Sequence, residues 1–438
     1  MLVRLPKEVG KVMTRLQEAG FEAYVVGECV RDSILGRKPF GWDVTTNATL
    51  EDLKTVFPEA EVFSEKFGVI RLEYIEETKI DGETVEVGVI VDVAPYRKEA
   101  KYSNGLLVDS TRAETIADDL SHRDFTINAI AENHTSLEDT FDGKEDIRKK
   151  LIRTVGDADR TFKEDPIKMI RALRLCAELD FDLHKGAYEA IVANSALLEK
   201  ASPNKVRDEF EMLMGGVAAS KGLNMLLDTG LVATILGPDI LAKLTKREKS
   251  DLEILSQNID KTQPVVERRL GLFYACIDKK RAKPAIERLN YDEKTKQHLI
   301  DAVTDMAKLY FTATAPALKK FIYERGWERY NYLANLEKAQ RIIFDYFSET
   351  KIYSKMYMLE DIKKYREPIF VEDLFIDAND LVEAGICKPE KAEALLKMLV
   401  EECHMHPRKN TREKLLELAR TYSKNKLLAW FRGIHFAK

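Results

Sequence analysis

The spacing of apolar residues changes once along this chain, from short strand-like runs to long helical periods. Over about the first 135 residues, the helical pattern of VGKVMTRLQEAG is followed by the apolar runs EAYVV, GVIRLEYI and TVEVGVIVDVAPY, which favour strands. Asp81-Gly82 is the best turn signal between the last two runs. The pattern predicts a mixed α and β N-terminal part.

Helical periods dominate from about residue 145 onward. EDPIKMIRALRLCAEL, AYEAIVANSALLEKA, PNKVRDEFEMLM and GLNMLLDTGLVATIL follow one another with short breaks, and the last 200 residues or so continue in the same way. REPIFVEDLFI carries the only strand-like run in this part of the sequence. We therefore expect an α+β protein, with a small α/β head followed by a long helical region.

Composition fits a globular chain of several domains. The 438 residues are 45% hydrophobic and 33% charged, and no run of about 18 apolar residues suggests a membrane span. The N-terminus lacks the apolar core of a signal peptide. Five scattered cysteines without metal-type spacing predict a reduced, cytoplasmic protein. None of the seven histidines adjoins an aspartate, which argues against a metal phosphohydrolase of the His-Asp type.

The charge is distributed unevenly. The whole chain has a net charge of −5, but residues 407–438 contain nine Lys or Arg against two Glu, which gives that tail +7 and leaves −12 for the rest. Such a tail can bind RNA phosphates, or it can be a solvated helix face beside Trp430 and Phe431, and the sequence leaves both open. The candidate RNA contacts are Arg408, Lys409, Arg412, Lys424 and Lys426.

Two aspartates next to a glycine turn form the first candidate site. VVGECVRD predicts a strand, a turn at Gly27 and a helix start, with Arg31 as a cation for phosphate. Asp43 and Asp92 lie in strand-like runs, where a charge is costly unless it is paired or binds a metal. Metal-assisted phosphoryl transfer is one interpretation. Pairing of an aspartate with an arginine such as Arg71 or Arg97 is the other, and the residues alone favour it.

Two further segments carry polar groups among apolar ones. In DDLSHRDFTINAIAEN, Arg123, Asp124 and Asn128 suit the recognition of ribose and phosphate, or they belong to a capped, salt-bridged connector. In FKEDPIKMIRALRLCAELDF, a helix starts at Pro166 with Asp165 as its cap. Its cations recur every three residues, at Lys168, Arg171 and Arg174, and they face either a nucleotide or the acidic start of their own helix.

Together and in this order, these segments resemble the bacterial class II tRNA nucleotidyltransferase and poly(A) polymerase family, which includes CCA-adding enzymes. The resemblance rests on GECVRDSILGRKPFGWDVTT, VDVAPYR, DLSHRDFTINAIA and FKEDPIKMIRALRLCAEL, and it is close over residues 1–215 and looser over the rest. It implies a polymerase beta-like nucleotidyltransferase head at 1–140, a neck with a nucleotide-reading helix at 141–215, a body at 216–330 and an RNA-binding tail at 331–438.

The resemblance also implies an activity. The family transfers CMP and AMP from CTP and ATP to the 3′ end of tRNA with Mg²⁺ and without a nucleic-acid template. Asp43 and Asp92 would be the catalytic and metal-binding residues. The positions that would bind the nucleotide are Gly27, Arg31, Arg123, Asp124, Asn128, Glu164, Asp165, Lys168, Arg171 and Arg174.

Four positions depart from the family pattern. Gly41 stands in place of the first metal aspartate and Glu28 in place of a turn glycine. His122 replaces the first arginine of Arg-Arg-Asp, and Lys168 replaces the arginine of Glu-Asp-x-x-Arg. Two hypotheses follow from these residues. The protein is either a nucleotidyltransferase that still works, at full or reduced rate, or an impaired paralogue that binds tRNA or another structured RNA.

Overall fold

The structure is a computed structural model that describes residues 4–80, 83–103, 106–345 and 348–424. The described chain up to Val266, together with Pro284–Tyr291, forms one compact unit. Glu267–Lys283 and the described chain from Asp292 onward form a second. None of the helices in these ranges has the length and apolar character of a membrane span.

The N-terminal part contains both helices and strands, as the apolar spacing predicts. The elements are α1 Lys7–Glu18, β1 Ala23–Val26, α2 Glu28–Ile34, β2 Trp42–Thr46, α3 Leu50–Val56, β3 Glu61–Ser64, β4 Val69–Ile80, β5 Glu83–Pro95, β6 Arg97–Ser103, β7 Leu106–Arg112, α4 Ile116–Ser121, β8 Ala131–Glu132 and β9 Leu137–Glu138. The expected turn at Asp81-Gly82 lies outside the described residues.

One seven-stranded sheet organises this part, in the order β3-β4-β5-β2-β1-β8-β9. The pairing of β2 with β5 is parallel, whereas the other neighbours in the sheet are antiparallel. Helix α1 buries one apolar stripe, Val9, Val12, Met13 and Leu16, at the spacing that helical periodicity requires. The parallel pairing brings two segments that are distant in sequence to the centre of the sheet.

Helices form most of the remainder of the first unit. They and two short strands are α5 Gly143–Lys149, β10 Leu151–Ile152, α6 Ala158–Glu164, α7 Ile167–Leu179, β11 Asp182–Leu183, α8 Lys185–Asn194, α9 Pro203–Gly215, α10 Ala219–Asp228, α11 Val232–Leu236, α12 Pro238–Ala242 and α13 Lys246–Asn258. Helix α7 packs against α9 and α10, and nearly all of its residues are buried. The packing of α7 fixes the positions of the side chains that this helix contributes to the site described below.

The later helices are α14 Val266–Ala275, α15 Lys279–Arg288, α16 Glu293–Thr304, α17 Met306–Tyr310, α18 Ala315–Ile343, α19 Glu349–Lys364, α20 Ala378–Glu383, α21 Pro389–Met405 and α22 Arg412–Lys424. These bounds confirm the predicted α+β class, a head followed by a helical region. The finer division into head, neck, body and tail at residues 140, 215 and 330 stays a prediction.

The late strand predicted in REPIFVEDLFI is wrong. This segment contains only a short 3-10 turn, Val371–Asp373. The Asp373 carboxylate accepts hydrogen bonds from the backbone N–H groups of Ile369 and Phe370 and so closes the turn. Leu374 and Ile376 pack into the cluster formed by α20, α21 and α22, so tertiary packing rather than strand pairing explains their apolar character.

A close backbone approach holds the 3-10 helix Thr126–Asn128 against α5. A Cβ atom on Gly143 would lie 2.2 Å from the Thr126 carbonyl oxygen, so this position accepts only glycine without movement. The Asp146 carboxylate, one turn later, accepts a hydrogen bond from the Thr126 hydroxyl at 2.5 Å and pairs with Arg153 at 2.8 Å. This contact places Asn128, one of the predicted site residues.

Gly143→Ala should therefore lower the free energy of unfolding by about 2 kcal/mol, because the added methyl group must push a backbone carbonyl away. Gly10→Ala is the matched control, since its Cβ would meet nothing within 4 Å and its position lies inside α1. That control should raise stability by up to about 1 kcal/mol. Urea denaturation followed by circular dichroism measures both, and equal effects of the two substitutions would contradict the close approach.

Candidate active site

Four charged residues form one row across the head sheet. Glu61 of β3 lies opposite Arg71 of β4, Arg71 lies opposite Asp92 of β5, and Asp92 lies opposite Asp43 of β2. Directly opposed residues on neighbouring strands project to the same face of a sheet. The register therefore brings together Asp43 and Asp92, which the sequence predicts as a pair, and adds an arginine to the same row.

Both oxygens of Asp92 are bound by Arg71. The Nε and Nη2 atoms of Arg71 donate to Oδ1 and Oδ2 of Asp92 at 2.7 Å each, which is the two-pronged geometry of a strong arginine–carboxylate pair. The guanidinium also stacks on Phe63, with its central carbon 3.8 Å from the ring centre. The arginine pairing that the sequence offered as an alternative for Asp92 is present in the structure.

Asp43 and Asp92 line a cavity of about 400 Å³ together with Arg97, Asp119, His122 and Arg123. Asp43 is exposed to solvent by surface area, but the protein atoms around its carboxylate partly exclude water from it and so raise its pKa. Arg123 opposes the rise, whereas Asp92 and Glu28 add to it. Arg123 is itself held by Asp119, whose Oδ2 lies 3.0 Å from Nη2 of Arg123. The cavity thus offers a carboxylate that gains a proton more easily than usual, next to fixed cations.

A second cavity of about 370 Å³ shares Asp43 and Arg123 with the first and includes Gly27, Glu28 and Asn128. Gly27 has a φ of +86°, so a larger residue would be strained there. A Cβ at this position would also lie 3.1 Å from Nη1 of Arg123 and 3.8 Å from Oδ2 of Asp43. The glycine therefore leaves room at the point where the two cavities meet.

Arg171 of α7 connects the second cavity to two carboxylates. Its Nε donates to Glu209 of α9 at 2.8 Å and its Nη1 donates to Asp124 at 3.0 Å. Burial would raise the pKa of Asp124, but Arg171 and Lys168 outweigh it, and the pKa lies below its ordinary value. Asp124 is consequently ionised at neutral pH and acts as an anchor for the guanidinium.

Arg174 and Arg31 are buried cations with several acidic partners. The Nε atom of Arg174 lies 3.0 Å from Oε2 of Glu209, without hydrogen-bond geometry, and its Nη1 donates to Glu178 at 2.7 Å. Arg31 donates to the Asn128 side chain at 3.0 Å. Glu28 approaches Arg174 at 3.5 Å and Arg31 at 3.4 Å, so a carboxylate already stands where an incoming phosphate would meet these cations.

The structure gathers most of the predicted nucleotide-binding residues, but not all of them. Six line the second cavity or border it directly: Gly27, Arg123, Asp124, Asn128, Arg171 and Arg174. In the part of the chain that the structure describes, the walls of the two cavities do not include the other four, Arg31, Glu164, Asp165 and Lys168. The assignment of all ten residues to nucleotide binding stays a prediction.

Local contacts explain where three of those four residues lie. Arg31 is 1% exposed and supports Asn128 from behind, and half-exposed Glu164 pairs with Arg160 at 3.2 Å. Asp165 accepts a hydrogen bond from the backbone N–H of Ile167 at 3.3 Å. The predicted helix start and cap are wrong by one residue, because α7 begins at Ile167 with Pro166 as its N-cap, and Asp165 is the C-cap of the preceding helix α6. Burial raises the pKa of Asp165, against the influence of Lys168 and Arg171.

The predicted RNA contacts lie at and after the end of α21. Arg408 is exposed, Lys409 pairs with Glu402 at 2.6 Å, Arg412 pairs with Asp380, and Lys424 is exposed at the end of α22. Lys426, Trp430 and Phe431 lie outside the described residues. Both sequence interpretations of this segment stay open, because exposed cations suit a solvated face as well as an RNA contact.

Glu209 is a residue of the candidate site that was not predicted from the sequence. It is buried on α9 and contacts both Arg171 and Arg174. A signal was present, because Glu209 falls on the same helical face as Val206, Phe210 and Leu213, where a lone carboxylate requires a partner. Its partner is on another helix, and the sequence does not name it.

The residues present do not fit a pair of divalent ions. Such a site needs carboxylates that reach both ions, but Gly41 has no side chain and both oxygens of Asp92 are held by Arg71. Within the described ranges, no group of three or more His, Cys, Asp or Glu side chains has an arrangement that could hold a metal ion. Asp43 is the carboxylate that remains in position for one.

Two family models match the chain. The poly A polymerase head domain matches residues 23–153, and the "Probable RNA and SrmB- binding site of polymerase A" matches residues 180–244. A CCA-adding enzyme of Geobacillus stearothermophilus is 35% identical over 228 residues, 52% of this chain and 54% of that protein. A CCA-adding enzyme of Leuconostoc mesenteroides is 34% identical over 244 residues, which are 55% of this chain and 58% of that protein. The chain thus spans about half the length of the curated relatives it matches.

Solved structures resemble the fold over a longer stretch. The Bacillus stearothermophilus CCA-adding enzyme in complex with CTP has a TM-score of 0.71 at 24% identity and covers 96% of this chain and 98% of that one. The Thermotoga maritima CCA-adding enzyme in complex with tRNA has a TM-score of 0.64 at 20% identity, with 96% of each chain covered. At these identities the likeness shows the fold.

The fold and the matches define a class of protein, a nucleotidyltransferase head joined to a helical region. Over residues 23–153 and 180–244, the chain is similar to the class II tRNA nucleotidyltransferase and poly(A) polymerase family. This similarity confirms the resemblance that the sequence motifs carry.

Arg171→Gln should raise the pKa of Asp124, because the guanidinium that holds its charge is removed. A carboxylate with a lowered pKa stabilises the fold above its unfolded pKa of about 3.9, and this contribution disappears as the pH falls through the folded pKa. The variant should therefore unfold at lower urea concentration at pH 7, and the difference should shrink below about pH 4. Carbon-13 NMR titration of labelled aspartate measures the pKa directly.

Arg148→Gln is the control for that experiment. Arg148 forms a two-pronged pair with Glu145 on the surface of α5, with distances of 2.7 and 2.6 Å. Its removal should leave the titration of Asp124 unchanged. An unshifted Asp124 in the Arg171 variant would show that the pair does not govern this carboxylate.

Proposed function

We propose that this protein is a tRNA nucleotidyltransferase of slow turnover, which transfers CMP and AMP from CTP and ATP to the 3′ end of tRNA. The observation that carries the proposal is the register of Asp43 beside Asp92 at a cavity lined by Arg97 and Arg123. Similar proteins are named CCA-adding enzymes, and solved structures of such enzymes contain CTP, ATP or tRNA.

The side chains of the cavity have distinct roles in this proposal. Arg123 and Arg97 oppose the negative charge of a triphosphate, and the glycine at position 27 leaves room for it. The 3′-hydroxyl oxygen of the RNA attacks the α-phosphorus, the bond to the β-phosphate breaks, and pyrophosphate leaves. Asp43, which lines the cavity and whose pKa is raised, is the group that accepts the hydroxyl proton.

Slow turnover follows from the charges around these groups. Gly41 supplies no carboxylate, Asp92 is neutralised by Arg71, and Glu28 stands beside the cations that would receive phosphate. An oriented charged group in a catalytic site contributes several kcal/mol, so its loss costs roughly a thousandfold in rate. We keep Mg²⁺ as the expected cofactor, at a site weakened to Asp43, and a reduced cytoplasm as the expected compartment, since the five cysteines are free.

The pairing of Arg71 with Asp92 favours a second candidate function. If the Arg71–Asp92 pair persists when RNA and nucleotide bind, the protein is a silent paralogue that binds tRNA or another structured RNA. The exposed cations near α22 and the helical region would then account for its function, without transfer of a nucleotide.

Gly41→Asp should increase incorporation of labelled CTP and ATP into tRNA lacking its 3′ end, by about a hundredfold or more. The site can accept the side chain, because a Cβ at Gly41 meets nothing within 4 Å and its backbone is not in a glycine-only conformation. Gly41→Asn, which is similar in size but uncharged, should give no such gain. The assay uses Mg²⁺ and, in parallel, Mn²⁺.

The outcomes separate the two candidate functions. Robust incorporation by the wild-type protein would exclude the silent paralogue. No incorporation by either the wild-type protein or Gly41→Asp, while tRNA is still bound, would exclude the enzyme.

The double substitution Arg408→Ala and Lys424→Ala should weaken tRNA binding and reduce the slope of log affinity against log salt by about 1.5, because two phosphate contacts are lost. Filter binding at several salt concentrations measures both quantities. Lys246→Ala with Lys249→Ala, at two exposed cations of α13, is the control. Equal effects of the two double variants would show only a general charge effect and would contradict RNA binding by the tail.

A further inference from the structure

The Arg71–Asp92 contact is built into the head sheet. Arg71 and Asp92 are directly opposed on the antiparallel strands β4 and β5, so strand pairing alone brings their side chains together. The side chains are each 25% exposed, and the stacking of Arg71 on Phe63 fixes the guanidinium plane. Two guanidinium nitrogens of Arg71 each donate to one oxygen of Asp92, so both carboxylate oxygens are paired with the cation.

Arg71 is the one cation in a row that also contains three carboxylates, and it neutralises Asp92 without any added ion. Glu61 and Asp92 lie on either side of Arg71 in the register, and Asp43 comes next. Two adjacent carboxylates without a cation would repel each other, and a divalent ion is one way to relieve this repulsion. Arg71 relieves it from within the chain.

Displacement of the arginine by an ion would be unfavourable. A magnesium ion gives up its water reluctantly and demands near-octahedral oxygen ligands, whereas arginine is weakly hydrated and its planar fork matches a carboxylate. To ligate the ion, Asp92 must first break two charge-assisted hydrogen bonds of 2.7 Å. The neighbour that would help to recruit the ion is a glycine, Gly41.

We propose that Arg71 takes the place of a divalent cation at Asp92, so that Asp92 is not a metal ligand in this protein and the head binds divalent ions weakly. Arg71 acts through Asp92 and is therefore a positioning residue. The inference shares its cavity with the proposed function, but it concerns the binding of an ion by the free protein and holds whether or not nucleotide transfer occurs.

The test measures Mn²⁺ binding to the full-length protein by electron paramagnetic resonance, without RNA or nucleotide. Arg71→Gln should bind Mn²⁺ more tightly than the wild-type protein, on the order of tenfold, because groups next to metal ligands change affinity on this scale. An affinity unchanged within about twofold in a folded Arg71→Gln protein would overturn the proposal.

Arg71→Gln combined with Asp92→Asn keeps the local charge of the wild-type pair and removes the carboxylate. We expect its Mn²⁺ affinity to equal that of the wild-type protein within about twofold. A loss of about tenfold relative to wild type would show that Asp92 already ligates the ion and would overturn the proposal. This variant leaves neither partner charged and alone, so it provides the test even if Arg71→Gln fails to fold.

Arg15→Gln is the matched control. Arg15 also pairs with a carboxylate, Glu59, and also stacks on an aromatic ring, with its central carbon 4.4 Å from the ring centre of Phe57. It does not line the cavity that contains Asp43 and Asp92, within the part of the chain that the structure describes. Its substitution should leave Mn²⁺ affinity at the wild-type value, and a gain equal to that of Arg71→Gln would overturn the assignment to Asp92. Because no transfer is measured, failure of this proposal and failure of the proposed function give different results.

Discussion

Positive charge held beside carboxylates is the constraint on which the head depends. The parallel pairing of β2 with β5 sets Asp43 next to Asp92 at the strand spacing of about 4.8 Å, where two negative charges repel each other. Arg71 compensates Asp92 from the next strand, and Arg123 opposes the rise in the pKa of Asp43 that the partial exclusion of water causes. The acidic cavity can therefore exist in the protein alone, before any ligand enters it.

The same principle governs the contact between the head and the helices that follow in the first unit. Arg171 and Arg174 of the buried helix α7 are held by Glu209, and Arg171 also anchors Asp124. Such pairs fix the site geometry, because removing one partner leaves a buried charge uncompensated. They also use the cations that a nucleotide would need, and Glu28 adds a competing carboxylate. In the proposed function, the stability of the free protein and its affinity for phosphate would therefore depend on the same side chains.

The sequence predicted elements better than it predicted partners. Apolar spacing placed the head strands and helix α7 correctly, because these features depend on neighbours within a few residues. The predicted cap at Asp165 was wrong by one residue, since Pro166 is the N-cap of α7. The same reasoning from apolar spacing wrongly predicted a strand in REPIFVEDLFI. Apolar residues of an irregular segment that pack into a core have the same sequence pattern as a strand. Glu209 was missed although its position on an apolar face was visible, because its partners lie on another helix.

The sequence by itself determined the order of head and helical region, the family resemblance, and the chemical identity of the candidate groups, including the glycine at position 41. These follow from local periodicity and from residues in a fixed order. Only the tertiary structure decided that Asp92 pairs with Arg71, 21 residues away, because the register of two long antiparallel strands sets that contact and no short-range rule specifies it. A pair of aspartates in the sequence thereby became one available carboxylate and one that is neutralised by its neighbour.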